Sequence, residues 1–508
     1  MGSPTTLERL VQASVDLYSQ PAGIPTAVME RAALQHLSAA GVVRSVVASH
    51  ELEAPTEPMG ESFRLGGTPT DPAGAVAWHT GVGAWLEVDD HLLRGRSCTA
   101  NAAAAWASAT SSHSHSQVLA ATVAGNELSG RIGLATLLGA PEWGCAPATA
   151  ASTALVVGLL RGMSVDALTQ SVAAALGDGG QPVSDRPTPL PLDGPDARAA
   201  RRGVASVGEA GDPARFDAQL AEWSWHPLRG ALEGFGTSWM TDTITSRMRV
   251  SAPSGQTAVE SVAEVLKRHV KAAGKRLRVD QVERIVVRVP AAAAGLGVRG
   301  ALEPSSMPWS LPNLIGLLVA QHSLSAADLR PTVLAKHADA IGHVADRVEW
   351  VVDRDLSARS LSAQLAVLGP LVGDFGWRDA RTVLSRTLAG TRKAGRPERK
   401  QIAVWMGLLQ RLWAQRGRSA DLASVDVASW QLHIPVELEV YTTRGGRWPE
   451  RRSLPEGSPG ASWSDQVAAI LERYDAAVDG PGSGRAWLDQ PMDQPAVQAV
   501  SALLGTAV

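Results

Sequence analysis

Between Glu87 and Arg94 the chain reads EVDDHLLR, which sets five titratable side chains within eight positions. A carboxylate beside an imidazole can raise the histidine's pKa and orient its ring, so Glu87, Asp90 and His91 are the candidate proton carriers. If this segment continues the helical pattern that begins near Ala75, Glu87 precedes His91 by four positions and Asp90 precedes Arg94 by four. All four side chains would then share one helix face or the helix end. The competing reading is a solvated helix end with two weak surface pairs. Farther along, Arg247 and Arg249 carry the planar guanidinium that clamps a carboxylate, or stand on the surface of an alternating strand. His113 and His115 in SSHSHSQ have no third ligand in reach, so they read as an exposed loop and no metal site is expected. GEAGD and LEGFG lack a strand-turn-helix phosphate frame and read as turns or helix ends.

The elements that must position these residues are mostly helical. Residues 5 to 48 give two amphipathic helices broken at Pro21 to Pro25, and a Pro- and Gly-rich loop follows from Glu51 to Asp71. From Ala75 to Leu138 the stretches AVAWHTGVGAWLEVDDHLL, TANAAAAWASA and HSQVLAATVAGNELSGRIGLATLLG read as buried helices packed through small residues. A further pair, ATAASTALVVGLLRGM and SVDALTQSVAAALGDGG, ends in glycines that serve as stops. After the Pro-rich connection 180–197 comes the helix ARAARRGVASVGEAG. The texture changes near Thr245: the helix AVESVAEVLKRHVKAAGK precedes strand patterns in QVERIVVRVP, DRVEWVVD and VELEVYTTRGGRW, the last with a Gly-Gly turn. The division that follows is a helical domain over 1–245, an α/β domain over 246–455 with a helical insertion at 356–429, and a C-terminal part over 456–508. Within that last part, SWSDQVAAILERYDAAV starts on a Ser cap and returns to the helical domain.

Composition narrows the partners. At 508 residues the chain is long enough for more than one core, and 47 Lys+Arg against 50 Asp+Glu leave no basic block for nucleic acid. No apolar run has the length of a membrane span, and the first thirty residues are interrupted by Glu8, Arg9, Asp16 and Glu30. Only Cys98 and Cys145 are present, which excludes a disulfide framework, and the compartment reads as cytoplasmic. Sixteen Trp stand beside 3 Tyr and 4 Phe, so the largest rings carry most of the aromatic packing.

The run AWHTGVGAWLEVDDHLLRGRSCTANAAAAWASA followed by QVLAATVAGNELSGRIG resembles the most characteristic stretch of the MmgE/PrpD family, which includes 2-methylcitrate dehydratases, cis-aconitate decarboxylases and iminodisuccinate epimerases. ALEGFGTSW, QVERIVVRVP, WSLPNLIGLLVA and VELEVYTTRGGRW match in the same order, leaving only 356–429 outside. The resemblance implies an all-helical domain with an inserted α/β lid, a homodimer, no metal and no cofactor, and a small-molecule substrate bound in a cleft between the domains. It places the family's acidic motif on Glu87, Asp89 and Asp90, with His91 in place of its Thr and Ser97 in place of its His. Trp143 replaces a second active-site His, the two family lysines fall near Leu192 and Met248, and Asn313 replaces a Tyr. No lysine at all occurs in residues 1–266.

With those lysines and histidines gone, a citrate-like polyanion would lose its partners, and a bulkier, less charged ligand fits better. The expected activity is a lyase or isomerase acting by dehydration, isomerisation, epimerisation or cyclisation on a partly hydrophobic, secondary-metabolite-like substrate. Glu87, Asp90 and His91 would move protons, Arg247 and Arg249 would orient an anionic group, and Trp143, Trp309 and Asn313 would shape the pocket. Two alternatives stay open: an ordinary hydro-lyase or decarboxylase of a small acid, and a non-catalytic binding protein that keeps the fold.

Overall fold

The computed structural model describes residues 3–50, 52, 71–93, 95–138, 146–177, 190–224, 226–372, 376, 379 and 421–505. Arg94, Trp143, Cys145 and most of the insertion 356–429 lie outside the described residues.

The first half is a stack of helices. A Thr5 capping box opens α1 (Thr6–Ser19), and Pro21–Gly23 turns the chain into α2 (Thr26–His50). Next come α3 (Pro72–Trp85), α4 (Ser97–Ser108), α5 (His115–Ala135), α6 (Ala146–Leu160), α7 (Val165–Leu176), α8 (Pro195–Ala205) and α9 (Phe216–Trp223). Every residue of α6 is buried, and α5, α4 and α8 pack around it. Small residues permit the close approach: a Cβ on Gly203 of α8 would sit 2.3 Å from the Ala150 carbonyl of α6. A helix apolar all round belongs at the centre of such a stack.

Two departures from the sequence reading occur here. Helix α3 stops at Trp85, because Glu87 takes a left-handed backbone (φ 56°) that ends the turn. The segment expected to be helical through Leu93 instead forms a short strand, β1 (His91–Leu92), antiparallel to β2 (Ile244–Thr245). Glu87 and His91 therefore do not share a helix face. The second departure is His115. It is the first residue of α5, beneath the Ser114 cap, and is only 2% exposed, so it does not sit in an exposed loop.

In the second half, α10 (Gln256–Ala273) precedes β3 (Val282–Val289). Then follow α11 (Leu311–Gln321), α12 (Pro331–Lys336), α13 (Ala338–Ala345), β4 (Val348–Val352) and α14 (Arg354–Leu368). The hairpin β5 (Val436–Thr442) and β6 (Arg447–Arg452) completes one mixed sheet of order β4-β3-β5-β6. β4 is parallel to β3, and the hairpin strands are antiparallel. β5 alternates buried and half-buried residues, and its inner face meets α10. Helix α15 (Trp463–Val478), capped by Ser462, returns to pack on α2, followed by α16 (Ser483–Leu488) and α17 (Ala496–Leu504). One apolar core runs from α2 and α4 through α10 and α11 to Ile285 and Val287 of β3. The chain is thus mostly helical with a small mixed sheet. Among the described residues, no helix is long and apolar enough to cross a membrane.

Candidate functional site

The acidic motif is held by a loop that is itself anchored from α5. Glu127 and Arg131, one turn apart and wholly buried, form an ion pair on that helix. Glu127 accepts hydrogen bonds from the backbone N–H groups of Met240 (2.9 Å) and Thr241 (3.0 Å), and Arg131 donates to the carbonyls of Gly234 (2.9 Å) and Ser238 (2.8 Å). This fixes the segment 232–241, which contains LEGFG, and delivers β2 and then Arg247 to the motif. LEGFG is thus the helix end and turn expected of it, anchored through its backbone carbonyls with Glu233 and Gly236 exposed.

Arg247 is 1% exposed. It donates to Glu87 Oε2 (2.7 Å) and to Asp89 Oδ1, while its Nε meets the Asp89 carbonyl at 2.7 Å. The partner guanidinium is Arg96, at the start of α4: 2.7 Å to Glu87 Oε1, 2.9 Å to Asp89 Oδ1, 2.8 Å to the Ala84 carbonyl, and 3.7 Å from Asp196. Glu87, 3% exposed, and Asp89, 1% exposed, therefore lie between two arginines that occupy the oxygens a proton would need. Burial alone would push the Asp89 carboxyl up, but Arg96 and Arg247 outweigh it and bring it down to about 2. The solvated surface pairing is excluded for this motif. Arg247 also does not sit on a strand surface, since it follows the two-residue β2 and points to buried carboxylates.

Asp90 and His91 are different. Ser38 of α2 donates to Asp90 Oδ1 at 2.8 Å, but Oδ2 is buried with no hydrogen-bond partner. Burial drives the Asp90 carboxyl up to about 6, against the pull of Arg473 and of the Ser38 and Ser246 hydroxyls. Burial, and then Arg247, push His91 well below the ordinary imidazole range, so its ring is neutral, and Nε2 is likewise buried without a partner. The motif thus contains two buried atoms without a hydrogen-bond partner, of which Asp90 Oδ2 belongs to the group that takes a proton near neutral pH, beside two carboxylates that are fully engaged.

Donor atoms of Glu87, Asp89 and His91 lie within 4.8 Å of one another, a spacing that a cation could span. A cation there would adjoin the fixed charges of Arg96 and Arg247, which already bind both carboxylates. The geometry is that of an ion-pair network.

The remaining expected site residues are dispersed. Arg249 is half-buried with its Nε unpartnered, and its charge acts on Glu260 of α10. Asn313 of α11 donates to the Gly300 carbonyl at 2.9 Å, and its Oδ1 is buried and unpartnered. Trp309 packs half-buried against the main core. Pro308, beside Trp309, accepts from the Ala252 N–H (2.9 Å), and the preceding Ser251 carbonyl accepts from Arg247 (3.3 Å). Ser97 is fully buried and donates to Ser129 at 2.8 Å. Trp143 lies outside the described residues. Sequence reasoning missed Arg96, Ser38, Asp196 and Arg473. Only Arg96 is near in sequence, and its nine-residue separation from Glu87 matches no helical or strand period. Two described cavities, about 650 Å³ beside Arg276 and His322 and about 480 Å³ between α2, α15 and α16, touch none of these residues. No protein-family model and no curated protein matches the sequence.

Proposed function

We propose that the protein is a cofactor-independent lyase or isomerase that moves a proton next to a carboxylate or carbonyl, with Asp90 as the acid–base group. The observation that carries this reading is Asp90 itself: a buried carboxyl titrating near 6 with one oxygen unclaimed, next to a neutral His91 with a free Nε2. A general base poised close to neutral pH is the most effective kind. Glu87, Asp89, Arg96 and Arg247 act as the rigid frame that holds these two groups, so the proton carriers narrow from three to Asp90, with His91 as its neutral neighbour. The resemblance to the MmgE/PrpD family supports a lid arrangement, a homodimer and a cytoplasmic setting. The missing lysines favour a partly hydrophobic substrate over a citrate-like one.

The test is solvent deuterium incorporation. The protein is incubated in D2O with a panel of 2-hydroxy, 3-hydroxy and 3-oxo carboxylic acids, and exchange at the carbon next to the carboxyl is read by mass spectrometry. At least one acid should exchange with the native protein, with the rate falling about a hundredfold or more in Asp90→Asn. Citrate, 2-methylcitrate and cis-aconitate should not turn over. Exchange unchanged in Asp90→Asn would sink the assignment.

A second reading, a non-catalytic binding protein on the same fold, is favoured by one specific observation: Glu87 and Asp89 are locked in ion pairs and nearly inaccessible. Absence of exchange across the panel, with retained ligand binding, would establish it.

A further inference from the structure

Of the two arginines expected to orient an anionic group, Arg247 has no charge to spare, being bound to Glu87 and Asp89, and Arg249 lies away from the motif where its charge acts on Glu260. Arg473, on α15 and 383 residues beyond Asp90, stands at the same place with a different set of partners. Its guanidinium donates to the Arg247 carbonyl at 3.0 Å and the Val88 carbonyl at 3.5 Å, and lies 3.4 Å from Ser38 Oγ and 4.0 Å from Met248 Sδ. All of these are neutral. Among the described residues no carboxylate lies within 4.0 Å of it, whereas Arg96 and Arg247 each bind two. Arg473 is also half-buried, so part of it meets solvent, whereas Arg247 is sealed. Ser38 Oγ joins it to the motif, donating to Asp90 Oδ1 at 2.8 Å and accepting from Arg473.

We infer that Arg473 receives the anionic end of the ligand, and that the ligand is a monocarboxylate with an apolar body, seated beside Met248 with its carboxylate at Arg473 and its reacting carbon toward Asp90. A guanidinium with no described carboxylate within 4.0 Å, whose counter-charge is Asp90 across Ser38, is what a carboxylate partner completes. The single positive charge sets the class: one carboxylate is neutralised, a polyanion is not. This inference rests on the acid–base reading of Asp90 only for the direction in which the ligand lies.

Linkage to Asp90 gives the inference its signature. The groups acting on Asp90 are Arg473, Asp89 and the Ser38 and Ser246 hydroxyls, with the buried Cys98 thiol beside it. Burial lowers the Arg473 pKa, and the charge of Asp90 and then that of Arg247 act on it. An anion placed on Arg473 withdraws that positive charge from Asp90, so anion binding and protonation of Asp90 favour each other.

The experiment is calorimetric titration of the native protein with octanoate and, as the uncharged isostere, octanamide, at pH 5.5 and pH 7.5. Octanoate should bind, octanamide should not, and octanoate affinity should fall roughly tenfold across that interval as Asp90 ionises. Arg473→Gln should abolish octanoate binding, Arg473→Lys should retain part of it, and Asp90→Asn should bind equally at both pH values. Equal binding of octanoate and octanamide, no binding of octanoate at either pH, or native affinity in a folded Arg473→Gln would each overturn the inference. The native-protein comparison stands even if Arg473→Gln fails to fold. Octanoate binding without any deuterium exchange leaves Arg473 assigned and removes the catalytic reading. Exchange that survives in Arg473→Gln does the reverse.

Discussion

At the scale of single residues, the left-handed backbone of Glu87 (φ 56°) costs a non-glycine residue of order 1 kcal/mol, and the two guanidiniums on its carboxylate hold it there. Removing one member of such a buried network leaves uncompensated charge. Glu87→Gln should therefore lower stability by about 3 kcal/mol, measured by chemical denaturation, in contrast to the small loss that a helix-end pair would give. Asp90 behaves in the opposite sense. It titrates near 6 when folded against an ordinary 3.8, so its burial costs stability that is fully present above pH 6 and is relieved as pH falls toward 4. Asp90→Asn should raise the melting temperature at pH 8, by an amount equivalent to about 3 kcal/mol, and change it little near pH 4. A destabilised Asp90→Asn at pH 8 would mean that the charge is fully compensated. The acidic motif itself was legible from its density of titratable types. Which of its members are free was not, because the answer depends on Arg96 and Arg247, and Arg247 comes from 160 residues away.

At the scale of elements, helix periods and caps located most of the chain: the break at Pro21, the Ser462 cap and the Gly-Gly hairpin all stand where residue types put them. The overrun of α3 came from apolar spacing that continues past Trp85, while the stop is imposed by tertiary ion pairs on Glu87. His115 was misplaced because its serine-rich flank conceals contact with Trp487 of α16, whose ring lies 5.1 Å away. Both His115 ring nitrogens are buried and unpartnered, and burial lowers its pKa to about 4; burial, then His115, bring His36 of α2 to about 3. Such histidines stay neutral in the fold while the unfolded chain takes up protons below about 6.5, so the stability they permit is lost as pH falls from there toward 4. His115→Leu should therefore flatten the acid limb of the stability profile and raise stability at pH 5, followed by thermal melting across pH 4 to 7. On α10, Glu260 accepts from the Glu456 N–H at 2.9 Å, and burial, then Glu456, drive it up to about 8. Its charged form is costly above pH 8 and the cost is relieved on acidification, so Glu260→Gln should stabilise most at pH 9.

At the scale of the whole molecule, the sequence correctly implied a mostly helical chain with a small sheet whose strands at 282–289, 348–352 and 436–452 lie together. The core shared by α2, α10 and β3 was not legible, because apolar periodicity says which face of an element is buried and not against what. The ion network is where the parts of the chain meet: Glu87 and Asp89 after α3, Arg96 at α4, Arg247 after β2, and Arg473 on α15. A chain-wide junction of this kind can hold an acid–base group in a fixed, dehydrated position. The proposal stands or falls on the protonation of Asp90, which infrared difference spectroscopy reads without knowledge of the substrate. The carbonyl stretch of a protonated carboxyl, followed against pH in the native protein and subtracted from the same titration of Asp90→Asn, should show one group titrating near pH 6. A difference spectrum that titrates near 4 or below would show an ordinary structural carboxylate and contradict the account.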